Sequence, residues 1–262
     1  MRIEFNPALL YTHKVSGTKL NISNRINFEN SVPSDSFQHM TVERYFDENL
    51  VRAMVIQNAG VKDVLDRYLL PSKLNITELK DLKDNHLRTT QNIAFRIVDN
   101  LPTALKERVN EKDLRDGAIL HDYGKVLVPA EILNKKGKLN PYEYKIMQLH
   151  SELGYQLLKN TGINDNVLNL IRNHHNNLDK NKKFIPDVNL QVLNLADKYS
   201  ALTEKRVYKP AMSPQQALTI LAKEVDDGKV HPLIFNALAK SISSNPFANT
   251  QTHFENYILK AS

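Results

Sequence analysis

His121 and Asp122 are neighbours in LHDYGK, residues 120–125, with Gly124 and Lys125 just behind. An imidazole beside a carboxylate can hold a divalent cation, and an amine one turn further on can reach a phosphoryl oxygen. His86, His150, His174 and His175 bring the histidines between residues 86 and 175 to five. A single histidine on an apolar face is usually a core residue with a satisfied hydrogen bond. A carboxylate there is costly unless it is paired or bound to metal, which makes Asp197 the more telling residue.

Helical phase connects these residues, because positions three and four apart share a face. His86 follows Leu82 by four and precedes Ile93 by seven. Leu114, Gly117 and Ala118 lead to His121; Ile146 and Met147 lead to His150. Val167, Leu168 and Ile171 lead to His174 and His175, and Leu190, Leu193, Asp197 and Ala201 share one face, as does Ser200. Five consecutive helices therefore each turn a metal-capable side chain inward. Converging imidazoles and carboxylates in a bundle core suit iron, manganese or zinc. His13, His39, His231 and His253 lie outside this pattern and receive no role.

The elements that must position these side chains read as helices. Asn75 is a cap with Glu78 at the third position, opening a helix to about Asp99 before Pro102. Lys112 to His121 is the next, and Asn140-Pro141-Tyr142-Glu143 opens another that reaches about Asn160. Asp165 to His175, Asn189 to Thr203, Ser213 to about Val225 and Pro232 to about Ile242 complete the series. Ahead of Pro71, a helix from about Thr41 stops at Gly60 and a shorter one runs to Leu70. KLNISNRINF, residues 19–28, alternates as a short strand. The expected class is all-α, a helical bundle with the metal site in its core. Residues 1–75 form an N-terminal region of regulatory or dimerising role, and 76–262 the catalytic domain.

Composition narrows the chemistry. The chain has 262 residues and is 41% hydrophobic, enough for one good core. It has no cysteine, so no disulfide or thiolate metal site is available. The N-terminus has no apolar leader, and nothing approaches the roughly 20 apolar residues of a membrane span. A cytoplasmic protein is expected. The formal charge of +6 suits an anionic ligand but reads equally as solubility. Nothing suggests a DNA-binding fold, a repeat or a glycine-rich phosphate loop.

The ordered set His86, His121-Asp122, His150, His174-His175, Ala196-Asp197 resembles the HD phosphohydrolase superfamily, and within it the HD-GYP cyclic di-GMP phosphodiesterases. HDYGKVLVPAEILNKKGKLNPYEYKIMQLHSELGYQLL and LADKYSALTEKRVYKPAMSPQQAL carry the local likeness, which covers about 76–225. The resemblance implies that His86, His121, Asp122 and Asp197 are core metal ligands, with Asp122 bridging two metals. It implies that His150, His174 and His175 complete the second metal's shell. A metal-bridging hydroxide would then attack a cyclic dinucleotide or related nucleotide. Lys125 would meet the phosphoryl charge, and Arg206 and Lys209 would contact phosphate.

The chain departs from that family at specific places. HHNNLDKNKKFIP stands where the family has HHExxDGxGYP, so Asn176 replaces a Glu and the Gly-Tyr-Pro loop is lost. Ser200 replaces the second Asp of ADxxDAL, and Leu82 stands where some members carry a third-metal Glu. Two divalent metals are therefore expected, iron or manganese first and zinc next. The leading reading is a phosphodiesterase, with a homodimer as a common arrangement. Its rivals are a catalytically silent member that binds nucleotide or a partner protein, a hydrolase of another phosphate ester, and a purely structural bundle.

Overall fold

The computed structural model describes residues 41–178, 187–205 and 210–243, and among these every regular element is helical. The strand expected within 19–28 lies outside the described residues, as do Arg206 and Lys209. A 3₁₀ turn at Val42–Phe46 leads into α1 (Glu48–Gln57) and α2 (Ala59–Arg67). The Asp47 and Asn58 side chains cap these helices, accepting from the backbone N–H groups of Leu50 and Val61. These caps set the boundary that Gly60 was expected to set; Gly60 itself lies in the first turn of α2.

α3 (Ile76–Leu82), a π-helical turn (Lys83–Leu87) and α4 (Arg88–Asp99) form the run expected as one helix. The Asn75 side chain does not cap it. Its Nδ2 donates to the Val128 carbonyl, and its backbone N–H donates to Val126 at 2.8 Å. The chain continues through α5 (Thr103–Lys106), α6 (Glu111–Leu120), a 3₁₀ turn at Tyr123–Leu127, and α7 (Ala130–Leu133). Then come α8 (Pro141–Leu158), α9 (Asp165–Asn173), α10 (Val188–Thr203), α11 (Pro214–Asp226) and α12 (Pro232–Ser243). Asn140 and Ser213 form capping boxes with Glu143 and Gln216, each followed by proline in the first turn.

Apolar side chains gather into two main clusters. One joins α4, α6, α10, α11 and α12 through Ile97, Leu114, Val192, Leu218 and Leu238. The other joins α1, α2, α3, α8 and α9 through Val51, Leu65, Leu79, Leu153 and Ile171. The α3–α4 run serves both: Leu79 and Leu87 belong to the second, Ile93 and Ile97 to the first. The π turn makes the changeover, because its wider winding rotates the face that follows. His86 sits in that turn, between the two clusters.

The described part of the region before residue 76 packs in the second cluster with Leu120 and Tyr123. Tyr45 Oη donates to the Thr161 carbonyl at 2.8 Å, and Tyr123 Oη donates to the Tyr45 carbonyl at 2.5 Å. Among the described residues, no helix is long and apolar enough to cross a membrane.

Candidate metal centre

Five elements deliver the expected side chains to one place. His86 comes from the π turn, His121 and Asp122 from the end of α6, His150 from mid-α8, His174 and His175 from the end of α9, and Asp197 from α10. All except His175 are buried; the His175 side chain is 49% exposed and marks the open side. The donor atoms form two groups. His86, His121, Asp122 and Asp197 make one, and His150, His174 and His175 the other, with the ligand atoms of each group within 4.8 Å of one another.

Asp122 stands between the groups. Its Oδ2 lies 3.4 Å from Nε2 of both His86 and His121, while its Oδ1 lies 3.1 Å from His150 Nε2 and 3.8 Å from His174 Nε2. Asp197 has a similar posture, with Oδ1 3.1 Å from His86 Nε2 and Oδ2 4.0 Å from His175 Nδ1. Lys125 Nζ reaches Asp122 Oδ2 at 2.5 Å. Arg206 and Lys209, the other expected phosphate contacts, lie outside the described residues.

Backbone carbonyls orient three of the rings. Nδ1 of His121, His150 and His174 donates to the carbonyls of Ala118, Met147 and Ile171 at 2.9, 2.5 and 2.8 Å. Each bond holds a proton on Nδ1 and aims Nε2 into the site, where it can serve as a ligand atom. His150 Nε2 thereby faces His174 Nε2 at 3.2 Å and His175 Nε2 at 3.0 Å. His121 Nε2 is fully buried and has no hydrogen-bond partner among the described residues. Converging lone pairs repel unless a cation or proton lies between them, so this donor set fits divalent metal.

Electrostatics divides the site. Burial opposes ionisation of Asp122, but Lys125 and His121 beside it outweigh that and hold its carboxyl well below the usual range. Burial opposes ionisation of Asp197 too, and the neighbouring imidazoles of His121 and His86 override it, again to well below the usual range. Burial disfavours the charged form of His86, yet the carboxylates of Asp122, Asp197 and Glu204 push it well above the ordinary imidazole value. His121, opposed by burial and favoured by Asp122, rises to about 9. Burial, then the positive field of neighbouring histidines, drives His174 well below its ordinary value; burial and His150 lower His175 to about 4. Without metal, one group thus holds protons in place of a cation, while His174 and His175 in the other stay neutral.

Glu204 was not anticipated from the sequence. Its Oε2 lies 2.8 Å from His86 Nδ1. The available signal was its spacing, seven residues after Asp197 and four after Ser200. Asn194, also unanticipated, is buried and donates from Nδ2 to the His174 carbonyl at 2.6 Å.

A family model described as HD domain matches residues 75–233. The chain is 31% identical over 137 residues to the 3'3'-cGAMP-specific phosphodiesterase 1 of Vibrio cholerae, covering 50% of this chain and 32% of that protein. It is 31% identical over 187 residues to a probable cyclic di-GMP phosphodiesterase of the same organism, covering 64% and 42%. The chain therefore spans less than half the length of these curated relatives. A solved structure of an HDG"Y"P protein from Bdellovibrio bacteriovorus shares the fold at a TM-score of 0.50 and 17% identity, over 80% of this chain and 70% of that one. The family match takes in every residue of the two ligand groups, and the chain belongs to the HD domain family.

Proposed function

We propose that this chain is a metal-dependent phosphodiesterase that hydrolyses cyclic di-GMP or a related nucleotide. The observation that carries the proposal is Asp122, whose two carboxylate oxygens face two separate groups of ligand-capable side chains. The names of the relatives supply the substrate class. His86, His121, Asp122 and Asp197 would hold one divalent metal; His150, His174 and His175, with Asp122, would hold the other. Iron or manganese suits this imidazole and carboxylate set, and zinc is accommodated. A pair of such metals supplies an acidified water and a clamp for phosphodiester oxygens.

The chain's own residues do the rest. The backbone carbonyls behind His121, His150 and His174 keep Nε2 free and aimed. Lys125, 19% exposed, holds its amine beside Asp122, where it meets charge developing on phosphoryl oxygen. Arg206 and Lys209 would contact substrate phosphate. A cytoplasmic homodimer, with residues 1–75 regulating or dimerising a 76–262 catalytic domain, accompanies this reading.

The test is chromatography of cyclic di-GMP and 3'3'-cGAMP incubated with metal-loaded protein. Cleavage that disappears with chelator and in Asp122→Ala supports the proposal. Substrates bound but left intact by metal-loaded wild type would overturn it. One observation favours a silent, nucleotide-binding member instead: the Ser200 hydroxyl is engaged by Thr90 Oγ1 at 2.7 Å, where the resembled family has a carboxylate. That reading predicts binding without turnover, unchanged in Lys125→Ala.

A further inference from the structure

We infer that Glu204 is a positioning residue of the metal centre, holding His86 so that Nε2 alone faces Asp122 and Asp197. The inference rests on the metal-centre reading above. His121, His150 and His174 each use the carbonyl three residues earlier to fix Nδ1. His86 lies in the π turn, and its Nδ1 goes to Glu204 Oε2 at 2.8 Å instead. A carboxylate only accepts, so Nδ1 must carry the proton. Nε2 is left pointing at Asp197 Oδ1, 3.1 Å away, and at Asp122 Oδ2, 3.4 Å away.

Placement makes the pairing more than a surface contact. Glu204 follows the last turn of α10, with its backbone N–H donating to the Ser200 carbonyl at 2.9 Å. The same helix thus delivers a candidate ligand, Asp197, and the partner of another, His86. Ser200, between them, is uncharged and fully buried, with its hydroxyl engaged by Thr90. The carboxylate arrives one turn later. The Glu204 side chain is only 22% exposed, and its Oε1 is buried with no hydrogen-bond partner among the described residues. A solvated helix-end glutamate would leave neither oxygen in that state. A carboxylate behind a ligating imidazole fixes its ring and raises its basicity as a ligand.

The experiment is a stepwise Mn²⁺ titration of the full chain against a competing chelator, for wild type, Glu204→Gln and Glu204→Ala. Glu204→Ala is expected to weaken one of the two equivalents by about 10–100-fold and spare the other, with Glu204→Gln intermediate. Wild-type affinity for both equivalents in Glu204→Ala would overturn the inference. Equal weakening of both would also overturn it, since that marks general structural damage. If Glu204→Ala does not fold, Glu204→Gln gives the same decision, because it keeps the shape and removes the charge. Wild type that takes up no Mn²⁺ would overturn the metal-centre reading, and this inference with it.

Discussion

Gly124 lies against the backbone of His150 so closely that a Cβ there would sit 2.0 Å from the His150 carbonyl oxygen. It would also sit 2.4 Å from the Gly154 amide nitrogen. This approach explains the glycine in LHDYGK. It lets the 3₁₀ turn after α6 nest on α8, which brings Asp122 Oδ1 to 3.1 Å from His150 Nε2.

Gly124→Ala is therefore expected to destabilise the fold by about 3 kcal/mol, because backbone must move to admit the methyl group. Urea unfolding measures this. An unchanged midpoint would show that the two segments part without cost.

Lys125→Ala is expected to keep metal content while lowering kcat by about 100–1,000-fold, the usual effect of removing one group that meets transition-state charge. Metal analysis beside steady-state kinetics separates the two effects. Wild-type turnover in the variant would remove Lys125 from the chemistry.

Protonation is expected to give metal-free protein a stability maximum near pH 6.5. His121 is raised to about 9, so its contribution is full below about pH 6.5 and is lost as pH climbs through about 9; His86, raised well above its ordinary value, acts in the same direction. His174 and His175 are depressed, so stability falls as pH drops below about 6.5, for His175 down to about 4. Asp122 and Asp197 are held low, and their contribution disappears only in stronger acid. Thermal melts of chelator-treated protein across this range test the shape, and His121→Asn should flatten the alkaline limb. A wild-type curve that stays level from neutral pH through about 9 would contradict it.

Metal uptake at pH 7 should release about two protons per chain, from His86 and His121, since ligands bind deprotonated. Titration calorimetry in buffers of different ionisation enthalpy measures the number. A heat independent of buffer would contradict the assignment.

Asn194→Ala removes the donor that satisfies the His174 carbonyl in a buried setting. The expected loss is about 1–3 kcal/mol by chemical denaturation. Wild-type stability would mean the carbonyl finds another partner.

Much of this arrangement is legible in the sequence because helices announce themselves. Asn140-Pro141 with Glu143 and Ser213-Pro214 with Gln216 start helices as expected, since caps are local chemistry. The inward phase of His86, His121, His150, His174 and Asp197 follows from 3.6-residue periodicity, and all are buried. What was hidden depends on distant partners. Asn75 carries a cap signature, but its side chain is drawn to Val128, 53 residues away. The π turn at Lys83–Leu87 answers to the meeting of two apolar clusters, which periodicity does not encode. Glu204 reads as a solvated charge until His86, 118 residues earlier in the chain, is placed beside it.

The central claim is a binuclear site bridged by Asp122. Its most direct test is metal content per chain of anaerobically purified protein, wild type beside Asp122→Ala. The account predicts about two metals per wild-type chain, lost in the variant. A well-folded wild type without bound metal, or a variant that retains both ions, would contradict it.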